Sequence, residues 1–83
     1  MFHKIVEIKP KDNFILIVKF ENGVERQYDI KILMNKFEVF KELNNEILFK
    51  NVKIDVGGYG ISWNENIDLS SEEIWNNGVE MKL

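Results

Sequence analysis

The carboxylates Glu65, Asp68, Glu72 and Glu73 stand close together near the C-terminus, the one spacing in the chain that invites a reading as acid–base or metal chemistry. Asn64, Asn66 and Asp68 alternate as the oxygen ligands of a calcium loop do. The resemblance stops there: no glycine marks the sharp central turn, and the apolar Ile67 and Leu69 occupy positions where ligands or tight turns belong. Glu72 and Glu73 have a simpler explanation as acids in the first turn of a helix, where the peptide dipoles favour negative charge. We therefore expect no metal site, with a small metal-dependent enzyme using these carboxylates as a lesser alternative.

Other reactive groupings are thin. His3 is the only histidine and there is no cysteine, so a zinc or copper site would have to draw nearly all its ligands from carboxylates. His3 reads instead as an exposed residue of an N-terminal strand. Ser62, Ser70 and Ser71 are remote in sequence from that imidazole, and no nucleophilic triad can be assembled around it. Gly57-Gly58-Tyr59-Gly60 resembles a phosphate cradle only in composition. A phosphate loop opens into a helix N-terminus, whereas this run leads into the extended Ile61-Ser62-Trp63. The expectation is a non-enzymatic protein with no catalytic residue and no cofactor.

What remains are the tryptophans. Trp63 should sit in the core over Val52, and Trp75 against a sheet, yet adjacent Ile74 and Trp75 on a short helix cannot both point straight inward. A partly exposed Trp is a common interface anchor. Tyr59, Trp63, Asn64, Asp68 and Trp75 are accordingly the candidate protein-contact residues.

Composition narrows the classes further. The chain has 83 residues with 45% hydrophobic side chains, enough for one small domain spanning residues 1–83 and too apolar for a disordered one. A domain this small has a thin stability margin that pairing with a second chain would widen. The net charge is −3 and Arg26 is the single arginine. Lysines are scattered among acids, so direct contact with nucleic acid is disfavoured, because phosphate binding needs a basic face. No apolar run approaches the roughly 18 residues that span a bilayer, and charges interrupt the N-terminal segment where a signal peptide would be apolar. We expect a cytoplasmic protein without membrane contact.

The elements that would position these residues can be read from periodicity. HKIVEIKP predicts a strand closed by Pro10, followed by a turn at Lys11-Asp12-Asn13. Phe14, Leu16, Val18 and Phe20 alternate on one face of a second, central strand. A two-residue loop at Asn22-Gly23 would set polar groups opposite that stripe. A three-residue loop Glu21-Asn22-Gly23, with Gly23 left-handed in a bulge, pairs Phe20 with Val24, Val18 with Arg26 and Leu16 with Tyr28. Asp29 stands where a cap would start a short helix over IKILM. Irregular chain then leads to a helix near residues 45–50.

A second hairpin turns at Gly57-Gly58, pairing Val56 with Tyr59, Ile54 with Ile61 and Val52 with Trp63, while Lys53, Asp55, Gly60 and Ser62 face solvent. Ser70 with Glu73 forms a capping box, Leu69 with Ile74 a hydrophobic staple, and Gly78 the left-handed stop of a helix. Val79, Met81 and Leu83 alternate as a last strand or a docked tail. The fold class is α+β: a small antiparallel sheet built from hairpins, about five strands in all, with two or three short helices.

The order KIVEIKP, FENG, YDI, LFKNVKID, ISW and IDLSSEEIW resembles domain of unknown function 2442 (DUF2442), a family of small bacterial proteins, over about residues 4–76. Asn22-Gly23, Tyr28-Asp29, Phe49 with Val52, and Trp63 followed by Asp68 carry the likeness. Asn64 departs from it where the family often has Pro, as does the tail after Gly78. The resemblance implies a compact α+β domain and supplies no catalytic residues. Its members look like stand-alone proteins or companions of helix-turn-helix modules, some beside toxin-like partners. Together these readings favour a protein-interaction domain, antitoxin-like or self-associating, over a nucleic-acid-associated accessory domain of a transcriptional regulator.

Overall fold

The computed structural model describes residues 2–81. Among them, seven strands form two antiparallel sheets, joined and covered by short helices. The first sheet contains β1 (Ile5–Lys11), β2 (Ile15–Phe20), β3 (Glu25–Asp29) and β7 (Val79–Glu80), in the order β1-β2-β3-β7. The second has β4 (Lys53–Ile54), β5 (Gly60–Asn64) and β6 (Ile67–Ser70), in the order β4-β5-β6.

β2 is central, as its two-sided apolar start predicts, and Leu16, Val18 and Phe20 are buried. Strand β1 lies on the edge, which is why Pro10 is tolerated inside it with no ladder bond to donate on the open side. The β2–β3 turn takes the bulged form. Gly23 has φ +92°, Val18 faces Arg26, Leu16 faces Tyr28, and Phe20 N–H donates to Val24 O at 2.9 Å. Phe14 leaves the strand pattern: with φ +59° it belongs to the β1–β2 turn, and its ring packs edge-on against Phe49.

After β3, the cap position of α1 (Lys31–Lys36) is Ile30, which offers no side-chain cap; Asp29, the expected cap, stands one residue earlier, its carboxylate accepting the Lys31 N–H at 2.9 Å. The irregular stretch is a run of 3₁₀ turns over Glu38–Asn44 that buries Phe40 and Leu43. Asn45 then caps α2 (Glu46–Lys50), accepting the N–H groups of Ile47 and Leu48.

The second hairpin keeps the expected Ile54–Ile61 register, but its turn differs. Gly57 and Gly58 are both left-handed, at φ +82° and +76°, inside a 3₁₀ turn that throws Val56 (97% exposed) and Tyr59 (65% exposed) outward rather than pairing them on the apolar face. Gly60 is buried, not solvent-facing, because β6 lies against it: a Cβ there would sit 2.6 Å from the Leu69 carbonyl oxygen. β6 itself comes from the stretch that looks featureless between the two tryptophans. The Asn64 side chain accepts the N–H groups of Asn66 and Ile67 at 2.8 and 3.0 Å, a local side-chain turn that reverses the chain.

Helix α3 (Ser71–Asn77) starts as predicted, with Ser70 Oγ accepting the Glu73 N–H at 3.1 Å. Only that half of the capping box forms, since the Glu73 carboxylate is turned to Tyr28 and Asn77. Gly78 is not left-handed. Its φ is −78°, and glycine is required there because a Cβ would meet Ile74 O at 2.6 Å. Val79 then pairs with Gln27 in β7; Leu83 lies outside the described residues. The core is one cluster between the sheets, including Ile5, Phe20 and Tyr28 from the first, Ile61, Trp63 and Ile67 from the second, and Ile74 of α3.

Candidate functional site

A cleft of about 640 Å³ opens between α1 and the β6–α3 unit. Its volume falls in the range of binding pockets. One wall is apolar: Ile32, 54% exposed, and Phe37, 51% exposed, flank the buried Leu33 and Phe40. Ile32 lies within the six-residue α1, and Phe37 is the cap residue between it and the 3₁₀ run.

The opposite wall is polar. It consists of Asp68, Leu69 and Ser70 of β6 with Glu73 and Asn77 of α3, while Tyr28 and Asp29 close one end. Tyr28 donates its hydroxyl to Glu73 Oε2 at 3.0 Å, and Asn77 Nδ2 donates to the same oxygen at 2.9 Å. Burial, reinforced by the Glu73 hydrogen bond and charge, pushes the Tyr28 hydroxyl well above the usual phenol range. It is thus held as a donor and does not serve as a base at neutral pH. Asp29 pairs with Lys31 at 3.0 Å. The lining carries three carboxylates, Asp29, Asp68 and Glu73, against the single ammonium of Lys36.

A second cluster surrounds Trp75. The His3 ring stacks on the indole with centroids 3.8 Å apart and planes 11° from parallel, the Arg26 guanidinium lies 4.2 Å from the ring centre, and Phe20 meets it edge-on. His3 is therefore not the exposed strand residue its position implies. It precedes β1, is half-buried, and is tied to α3 by its N–H at 2.7 Å and its Nδ1 at 3.0 Å from the Glu72 carboxylate. These hydrogen bonds, the backbone one foremost, lower the Glu72 pKa.

The five candidate contact residues do not share one surface. Trp63 is buried, only 7% exposed, with Nε1 donating to Phe49 O at 3.0 Å, so it has no open face to offer. Asn64 is exposed but occupied with the β5–β6 turn. Tyr59 is exposed beside Phe2, ring centroids 4.3 Å apart. Trp75 is half-buried among His3, Arg26 and Phe20. Asp68 alone lines the cleft. Among the described residues no group of three or more His, Asp and Glu lies close enough to hold a metal ion. Nor is any helix there long and apolar enough to cross a membrane.

The cleft residues Tyr28, Ile32, Phe37, Glu73 and Asn77 escape a reading of the sequence as site residues. Each looks like an ordinary strand or helix position until α1 and α3, far apart in the chain, are found lining one cleft.

Two antiparallel sheets around a single core, carrying short helices with a groove between two of them, define a small α+β domain. The chain matches the family model "Protein of unknown function (DUF2442)" over residues 5–80, and it belongs to that family. No curated protein and no solved structure matches it.

Proposed function

We propose that the protein is a non-catalytic protein-interaction domain whose α1–α3 cleft receives a segment of a partner protein. The observation that carries this reading is the exposure of Ile32 and Phe37 side by side on one wall of a groove rather than scattered singly over the surface. Apolar side chains that rim a concave surface gain free energy when a partner covers them, roughly 25 cal/mol per Å² of apolar area removed from water. The polar wall supports the same reading. Tyr28 and Asn77 both donate to Glu73 Oε2, so these groups are engaged through a shared acceptor instead of standing as a set of reactive groups.

Replacement of Phe37 by a photo-crosslinking phenylalanine analogue tests this in the native host. A defined protein adduct is expected at Phe37, and none from the same analogue at Val56, which is exposed but outside the cleft. Equal adducts at both positions, or none at Phe37, would remove the cleft as the contact surface.

A further inference from the structure

We infer that the cleft takes an extended, basic segment of the partner by strand addition along the open edge of β6; this rests on the cleft being a protein-contact surface and specifies how it is used. β6 has β5 on one side and no strand on the other among the described residues. The register tells which of its backbone groups are free. Ser71 N–H donates to Tyr59 O at 2.9 Å, and the pairing then steps through Gly60–Ser70, Ile61–Leu69 and Ser62–Asp68.

In an antiparallel ladder, bonded and non-bonded pairs alternate. Tyr59–Ser71 and Ile61–Leu69 are the bonded pairs, so the N–H and C=O of Asp68 and the N–H of Ser70 turn away from β5. Asp68 and Ser70 are also cleft-lining residues. A row of backbone donors and an acceptor along a groove wall is what an incoming strand pairs with, its alternate side chains dropping into the groove.

Charge specifies the occupant. Asp68 and Glu73 stand on the wall that the added strand would run along, Asp29 is already paired with Lys31, and Lys36 is the one cation in the lining. An acidic strand would meet like charge at Asp68 and Glu73, and a neutral one would desolvate Asp68, which has no ion-pair partner among the described residues, without a counter-charge. Lys or Arg on one face of the strand, with apolar residues on the other toward Ile32 and Phe37, satisfies both walls. A short edge bearing a carboxylate also discourages indiscriminate pairing, so β6 is open to basic strands in particular.

The probe is a displayed library of random dodecapeptides, selected against the full chain. Peptides bearing Lys or Arg at alternate positions should be enriched, and the bound peptide should slow amide exchange at Asp68 and Ser70. N-methylation of one alternating set of peptide nitrogens should weaken binding roughly tenfold or more, while the other set is tolerated. Asp68→Lys, at an exposed position, should weaken the selected peptides by about tenfold and remove much of their salt dependence.

Selection of acidic peptides, no retained peptide, tolerance of both N-methylated sets, or protection of β6 only through dimerisation of the chain would each overturn strand addition by a basic partner. A crosslinked host protein at Phe37 would leave the broader assignment standing in any of these cases. Conversely, library peptides that satisfy every criterion alongside a silent Phe37 in the host would place the fault with the broader assignment.

Discussion

The Tyr28 hydroxyl reaches 3.0 Å to Glu73 Oε2, tying the end of β3 to the first turn of α3 in the lining of the cleft. Tyr28→Phe removes that donor while keeping the buried ring. We expect a loss of about 1 kcal/mol at neutral pH, the usual net worth of one hydrogen bond. The pH dependence has a definite sign. The folded pKa is raised above the unfolded phenol value, so the folded state holds the proton more tightly, and the stabilisation is complete below about pH 10 and lost as pH rises above it. Urea denaturation of both proteins across that range should show a steeper alkaline decline in the wild type. Parallel curves would mean that Tyr28 does not contribute.

Glu72 has the opposite sign. Its folded pKa is depressed, chiefly by the backbone N–H of His3 and then by the imidazole. The stabilisation is present above the unfolded carboxylate value, about 4.3, and disappears as pH falls through the lower folded value. Glu72→Gln should therefore flatten the acid limb of the stability curve while altering the alkaline limb little. Because His3 also stacks on Trp75, the indole reports on the same junction. Acidification of the wild type should change Trp75 fluorescence before global unfolding, and His3→Ala should abolish that early change.

Much of this architecture is legible in the residues. The bulged Glu21-Asn22-Gly23 loop follows from keeping Val18 and Phe20 on one face, since a two-residue loop at Asn22-Gly23 would set Gln27 and Glu25 opposite them, and the observed register is the bulged one. The Ile54–Ile61 register and the Ser70 cap are equally local. β6 is harder to see because its four residues show only one weak alternation, and Asn64 makes its turn with a side chain rather than with the usual glycine. The Gly78 stop is misread for a related reason. Glycine is needed there for the close approach of Ile74 O, not for a positive φ, and sequence alone does not separate the two causes. The cleft is least legible, because it is a product of where α1 and the β6–α3 unit stand on either side of a groove, a relationship between segments that share no local pattern.

Two glycines separate these causes by experiment. Gly60→Ala would bring a Cβ to 2.6 Å from a backbone oxygen, Leu69 O, in the middle of the second sheet, where neither strand can yield cheaply. A loss of about 2–3 kcal/mol is expected, within the range for overpacking a tight core. Gly23→Ala meets nothing within 4 Å, and its cost comes only from φ +92°. That strain is about 1–2 kcal/mol. Chemical denaturation should rank Gly60→Ala as the more damaging, and the reverse order would mean that β5 and β6 separate more easily than their packing implies.

The two tryptophans should respond differently to the same change. Trp63→Phe leaves the Phe49 carbonyl without its donor inside the core and opens a void beside Phe40, whose ring meets the indole edge-on at 6.3 Å. An unsatisfied buried acceptor and a cavity together should cost about 2–4 kcal/mol. Trp75→Phe keeps an aromatic face against His3 and Arg26 at a half-buried position and should cost about 1 kcal/mol. Acrylamide quenching of the single-Trp variants provides a check that does not depend on stability. The emission of Trp63 should be the better shielded, as its burial requires, and insensitive to a peptide bound between α1 and β6. A readily quenched Trp63 would mean that the second sheet opens in solution and that its tryptophan is available for contact after all.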